Sequence, residues 1–183
     1  MHIVRLFIAS SIVEFKHERK RIGALVSDAN SLCMPYGTVL VADFCEDQSS
    51  ALALSRKQEE YNQLIRQDQL FVLLVGSTVG TYTMEELVVA LDSQENNGIP
   101  QGVLALCGPA VGHLASASSN RMLRVENTPG AEVASLLDGQ RGCTLKRFQN
   151  ADEAVAHIFD CLHEMGLVQP KLCIEGGRVR QGA

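Results

Sequence analysis

The chain contains no tryptophan, and aromatic residues make up only 5% of its 183 positions. Acidic residues outnumber basic ones, 21 against 16, for a formal net charge of −5. A nucleic-acid surface needs a basic field and stacking rings, so nucleic acid is excluded as a partner. Residues 19–21 (Arg19, Lys20, Arg21) form one short basic cluster, read as a solvated helix face. No apolar run approaches the roughly 18 residues of a spanning helix. The longest runs, Leu70–Val75 and Gly102–Cys107, are strand-sized, and mean hydropathy is +0.05. A membrane partner is therefore not expected.

Other absences narrow the chemistry. The six cysteines include no CxxC pair, and the five histidines show no metal-ligand spacing, so reduced thiols and no metal site are expected. Residues 1–9 have no basic leader region or cleavage site, which suggests a cytoplasmic protein. No GxGxxG follows the first apolar run, and no GxxxxGK[ST] occurs. A nicotinamide dehydrogenase and a P-loop NTPase are thereby excluded. No GxSxG elbow is present either.

What is present is alternation. Residues 2–9 (HIVRLFIA) are strand-like, as are 38–44, 69–75, 102–107 and 144–148. Between them lie helical patterns. In the first, Ser11 with Glu14 forms a capping-box pattern, and Ile12, Phe15, Ile22, Leu25, Val26 and Ala29 share a face. The second spans 51–67. The third is capped by Thr83 with Glu86 at the box position, and the last is capped by Asn150 or Asp152. Residues 108–130 carry little pattern. The β-α alternation predicts a flavodoxin-like α/β fold, a three-layer αβα sandwich on a five-stranded parallel sheet of order 2-1-3-4-5. One domain is expected over residues 1–166, with a tail or linker over 167–183. Ligands of such sheets bind beyond the strand C-termini, which selects the loops at 10–11, 45–50, 76–83 and 107–113. From periodicity alone, Glu85 and Glu86 read as first-turn acidic residues facing the positive end of a helix dipole.

Several segments resemble one family. Residues 6–11 (LFIASS) with Glu14-Phe15-Lys16 and Glu18-Arg19 resemble the opening box of TIR-like domains, notably those at the N-termini of bacterial signalling or defence proteins. Cys45-Glu46-Asp47 is similar to their acidic loop after the second strand, and residues 56–62 (RKQEEYN) to their second-helix signature. Residues 80–87 (GTYTMEEL) with Ala90 resemble their G-x-x-T-x-E-E-x-x-x-A segment, and 144–150 match too. The resemblance covers most of residues 3–165.

The resemblance implies an activity. TIR domains and the related nucleoside deoxyribosyltransferases carry a glutamate four residues before a small one on the helix after the third strand. Glu86 and Ala90 have that spacing, whereas Glu85 precedes Val89. Glu86 is thus the expected catalytic residue for cleaving the nicotinamide–ribose bond of NAD, with NAD as substrate and no cofactor. Expected substrate-binding residues are Phe7, Ser10, Ser11, Glu46, Arg56, Gln58, Tyr61 and Thr83. Residue chemistry alone also allows capping for Ser11, core for Phe7, a surface ion pair for Arg56 and half-buried packing for Tyr61. Self-assembly or pairing with other TIR-like domains, through the loop at 45–50, is the partner expectation.

Two alternatives accompany this reading. One is a non-catalytic TIR-like interaction module, favoured by a first loop of Ser10, Ser11 and Ile12 where many active TIR domains carry an aromatic or basic residue. The other is a nucleoside or nucleotide N-glycosidase, or a deoxyribosyltransferase-like enzyme. That second reading calls for another acid in the cleft, for which Asp43, Glu46 and Asp47 are the candidates.

Overall fold

A computed structural model describes residues 1–44, 54–109 and 128–182, apart from the side chains of 54–57. Its elements run β1 (His2–Ser10), α1 (Lys16–Cys33), β2 (Thr38–Phe44), α2 (Leu54–Ile65), β3 (Leu70–Val75) and α3 (Thr81–Asn97). They continue through β4 (Gly102–Cys107), α4 (Pro129–Leu137), β5 (Cys143–Arg147), α5 (Ala151–Glu164), β6 (Leu172–Glu175) and β7 (Arg178–Gln181). A single 3-10 turn, Met34–Tyr36, closes α1.

The five-stranded sheet has the order β2-β1-β3-β4-β5, with every neighbouring pair parallel, as the alternation predicts. β3 and β4 are buried along their whole length. Their unbroken apolar sequences, LFVLLV and GVLALC, belong to strands covered on both faces. β1 feeds two cores in alternation. Val4, Leu6 and Ile8 join Ile22, Leu25, Val26, Ile158, Phe159 and Leu162 of α1 and α5 on one face. Phe7 and Ala9 join Ile65, Leu87, Ala90, Val133 and Leu137 of α2, α3 and α4 on the other. The sequence is thus folded into three layers.

Several local expectations are corrected. α1 begins at Lys16, not beside Ser11, because residues 11–15 form a separate turn in which the Phe15 amide donates to the Ser11 carbonyl (3.1 Å). Half of the capping box survives: the Glu14 amide donates to Ser11 Oγ (3.3 Å), but the Glu14 carboxylate goes elsewhere. Ile12 is consequently exposed. α3 begins at Thr81 with Gly80 as its N-cap and no side-chain cap bond. Thr83 and Glu86 are therefore internal and not a cap pair. Asn150 does cap α5, its Oδ1 accepting the Glu153 amide (3.0 Å).

The basic cluster is not a solvated face either. Lys20 is exposed, but Arg19 is only 3% exposed. Arg21 Nε donates to Asp152 Oδ1 (2.7 Å), and Arg21 Nη2 to the Gly177 carbonyl (2.6 Å). Beyond residue 166 the chain forms the antiparallel β6–β7 hairpin, packed on α1 and α5, with Val168 and Leu172 buried in the first core. No described helix is long and apolar enough to cross a membrane.

Candidate functional site

The sheet register sets the site. Ser10, the last residue of β1, lies opposite Leu74, and Val75 opposite Cys107. Three strands therefore end side by side, at the point where the crossovers switch direction. That is where a doubly wound sheet leaves a crevice. The five residues 76–80 (GSTVG) link β3 to α3, which packs across β1, β3 and β4.

Glu86 occupies the second turn of α3. It is 4% exposed and shares the inward face with Thr83, Leu87, Ala90 and Ser93, whereas Glu85 is exposed. Helix phase thus turns one glutamate inward and the other outward. Side chains on a helix lean toward its N-terminus, so the Glu86 carboxylate leans toward the first turn of α3 and the strand ends. Burial of a carboxylate is costly unless it is offset by partners.

Ser10 is 7% exposed. Its Oγ accepts a hydrogen bond from Arg19 Nη1 (2.7 Å), and the guanidinium also lies 5.0 Å from the centre of the Phe44 ring. This places a full positive charge immediately beneath the end of β1, in a setting where charge is weakly screened. The sequence reading missed Arg19 as a site residue. Its signal is periodic: 15, 19, 22 and 26 fall on one helix face, and three of the four are apolar.

Glu14 is the second residue that sequence reasoning did not place. Its Oε1 accepts the Ser77 amide (2.7 Å) across 63 positions, tying the turn after β1 to the loop after β3. A side-chain carbon added at Gly76 would overlap the Glu14 carboxyl carbon and both its oxygens. No local pattern announces such a contact.

The other expected residues are distributed as follows. Phe7 is wholly buried and stacks on Phe71, with ring centroids 5.9 Å apart. Ser11 is half-buried, and Thr83 is buried one turn from Glu86. Gln58 Nε2 donates to Asn62 Oδ1 (3.3 Å), and Tyr61 packs half-buried against the second core. Arg56 lies in α2, but its side chain is outside the described residues, as are Glu46, Asp47 and the whole loop at 45–50.

Asp43, a candidate second acid, is turned away from the strand ends. Its Oδ1 accepts from Arg5 Nη2 (2.8 Å), and Arg5 also pairs with Asp68 at 3.3 Å. Asp68 precedes β3, at the N-terminal end of that central strand. Burial, and then the charge of Asp43, push the Asp68 carboxyl up to about 7, a rise that Arg5 opposes. Among the described residues, no group of three or more His, Cys, Asp or Glu could hold a metal ion. The five described cysteines are free.

No family model matches the chain, and no curated protein matches it. Among solved structures it is similar to a CMP N-glycosidase of Clostridium botulinum, BcmB, at 13% identity with a TM-score of 0.49. The match covers 84% of this chain and 97% of that one.

Proposed function

We propose that this chain cleaves the N-glycosidic bond of a nucleotide, with Glu86 as the carboxylate that steadies the developing ribosyl cation. One observation carries the reading: Glu86 is buried on the inward face of α3, beside the ends of β1 and β3, in a position no capping role explains.

The chemistry suits a sparse site. The bond between C1′ and the base nitrogen breaks, its electron pair leaves with the base, and water adds to C1′ while releasing a proton. The transition state is oxocarbenium-like. A carboxylate about 4 Å from that charge contributes on the order of 4 kcal/mol at an effective dielectric near 20, roughly a thousandfold in rate. Ser10 supplies a hydroxyl that can still donate its hydrogen while accepting from Arg19.

Within this class the leaving base decides what else is needed. A neutral pyrimidine or purine leaves as an anion unless it is protonated, and so calls for a second acid. Nicotinamide leaves its cationic pyridinium as a neutral molecule and needs none. Among the described residues the candidate second acid, Asp43, is engaged by Arg5, while Glu46 and Asp47 lie outside them; NAD and the nucleoside monophosphates are therefore tested side by side.

The test is chromatographic. Protein over a range of concentrations, to allow for activation by assembly, is incubated with NAD, AMP, CMP, UMP and their deoxy forms, and base release is followed. Base release from at least one is expected, falling about a thousandfold in Glu86→Gln, with the melting curve retained. No release from any substrate, or an unchanged rate in the variant, overturns the proposal. Release from CMP but not from NAD would call for a second acid in the cleft.

A further inference from the structure

We propose that Glu14 is a positioning residue for Glu86, acting through the β3–α3 loop and on the side-chain-free space at Gly76. This rests on the reading of Glu86 given above and names what holds that residue in register.

Two observations point the same way. The Ser77 amide donates to Glu14 Oε1 at 2.7 Å. The three atoms nearest to a carbon added at Gly76 are all from the Glu14 carboxyl group. Gly76 is not among the glycines with positive φ, so its backbone is open to any L-residue. A side chain at Gly76 would therefore push the Glu14 carboxylate out of its place rather than strain the turn.

The consequence reaches Glu86 through a short path. α3 has no side-chain cap at its N-terminus; its first turn is set by the extended Gly80 backbone, whose carbonyl accepts the Met84 amide (3.0 Å), so the helix start follows the loop. The loop is held by Glu14 at Ser77 and by Val79, which packs on the second core. Glu14 is itself well anchored. The next residue, Phe15, is 4% exposed and packs at a tilt on Phe148, with ring centroids 6.1 Å apart. The turn after β1, which ends in the Ser10–Arg19 bond, and the helix that carries Glu86 are thus set against one another by one carboxylate. A displacement of a reacting group by about 1 Å costs on the order of a hundredfold in rate, so a contact of this kind is expected to register in turnover.

The experiment is a double-mutant cycle of Glu14→Ala and Gly76→Ala, with Glu14→Gln as the conservative variant. Hydrogen exchange at the Ser77 amide is read first. It should accelerate about tenfold or more in Glu14→Ala and stay slow in Glu14→Gln, whose side-chain oxygen still accepts. Turnover is read second. Each alanine variant should lower kcat about tenfold or more while KM stays within about threefold, the signature of lost placement and not of lost binding. The double variant should be no slower than Glu14→Ala, because the added carbon then meets the vacated space and the effects do not multiply.

Multiplying effects, a kcat within about twofold of wild type despite lost amide protection, or a raised KM at constant kcat would each overturn the proposal. If the wild-type protein is inert on every nucleotide, the proposed function fails, but the positioning is still read by the backbone amide chemical shifts of residues 81–86. They should move in both alanine variants and not in Glu14→Gln, and unmoved shifts refute the coupling.

Discussion

The Arg5–Asp43–Asp68 cluster should make this fold lose stability as pH rises from about 5 toward 7. Asp68 is 1% exposed at its side chain, against 18% for Asp43 and 35% for Arg5. One guanidinium serves two carboxylates, contacting Asp43 at 2.7 Å and Asp68 at 3.3 Å. Burial first, and then the neighbouring Asp43 charge, raise Asp68 from 3.8 to about 7. The folded state therefore binds this proton more tightly than the unfolded state does. The contribution is complete below the unfolded pKa and is lost as pH climbs through the folded one. Between about pH 5 and 7 the unfolded chain has released the proton and the folded chain has not, so stability falls by about 1.4 kcal/mol per unit, on the order of 3 kcal/mol in all. Asp68→Asn keeps the shape, can donate to Asp43 as the protonated acid does, and cannot ionise. Urea denaturation at matched ionic strength from about pH 5 to 8 is the assay. The variant's stability minus that of wild type should rise by about 3 kcal/mol across that window. A difference that stays flat or falls would refute the shared-proton argument.

Two further outcomes follow from the packing. Ser10→Ala should cost about 1.5–3 kcal/mol in chemical denaturation, because it strips an acceptor from a buried guanidinium; Ser11→Ala, whose half-exposed hydroxyl takes only the Glu14 amide, should cost under about 1 kcal/mol, and equal costs would contradict the burial. Ending the chain after Gly166 removes buried Val168 and Leu172 and the Gly177 carbonyl that receives Arg21; about 4 kcal/mol of burial and a fall in Tm on the order of 10 °C are expected by calorimetry.

Much of the fold was legible because it depends on local periodicity. LFVLLV and GVLALC can only be strands covered on both faces, and with three further strands separated by helical spacing the order 2-1-3-4-5 follows from right-handed crossovers. The misreadings have a common cause. Ser11 with Glu14, and Thr83 with Glu86, both satisfy the capping-box spacing, yet each glutamate is turned to a different use. Glu14 reaches Ser77, 63 positions away. Glu86 is set one turn further into a helix that starts at Thr81. The spacing of a capping box describes what a side chain can do when nothing else competes, and here the neighbouring loop and the sheet compete. Arg19 was misread for the converse reason. Its neighbours Lys20 and Arg21 made it look like a charge run, although its helix phase places it with Phe15, Ile22 and Val26.

The same contrast separates site from scaffold along α3. Its inward face runs Thr83, Glu86, Leu87, Ala90 and Ser93, with the one carboxylate in the N-terminal half and Leu87 and Ala90 in the second core. Position 85, one residue earlier, is exposed, and position 90, a turn later, is an alanine of the second core, where a carboxylate would be costly without partners. Position 86 is shielded from solvent and lies within two turns of the helix start. The role proposed for Glu86 rests on that conjunction of burial and position near the start of the helix, which exposed Glu85 lacks.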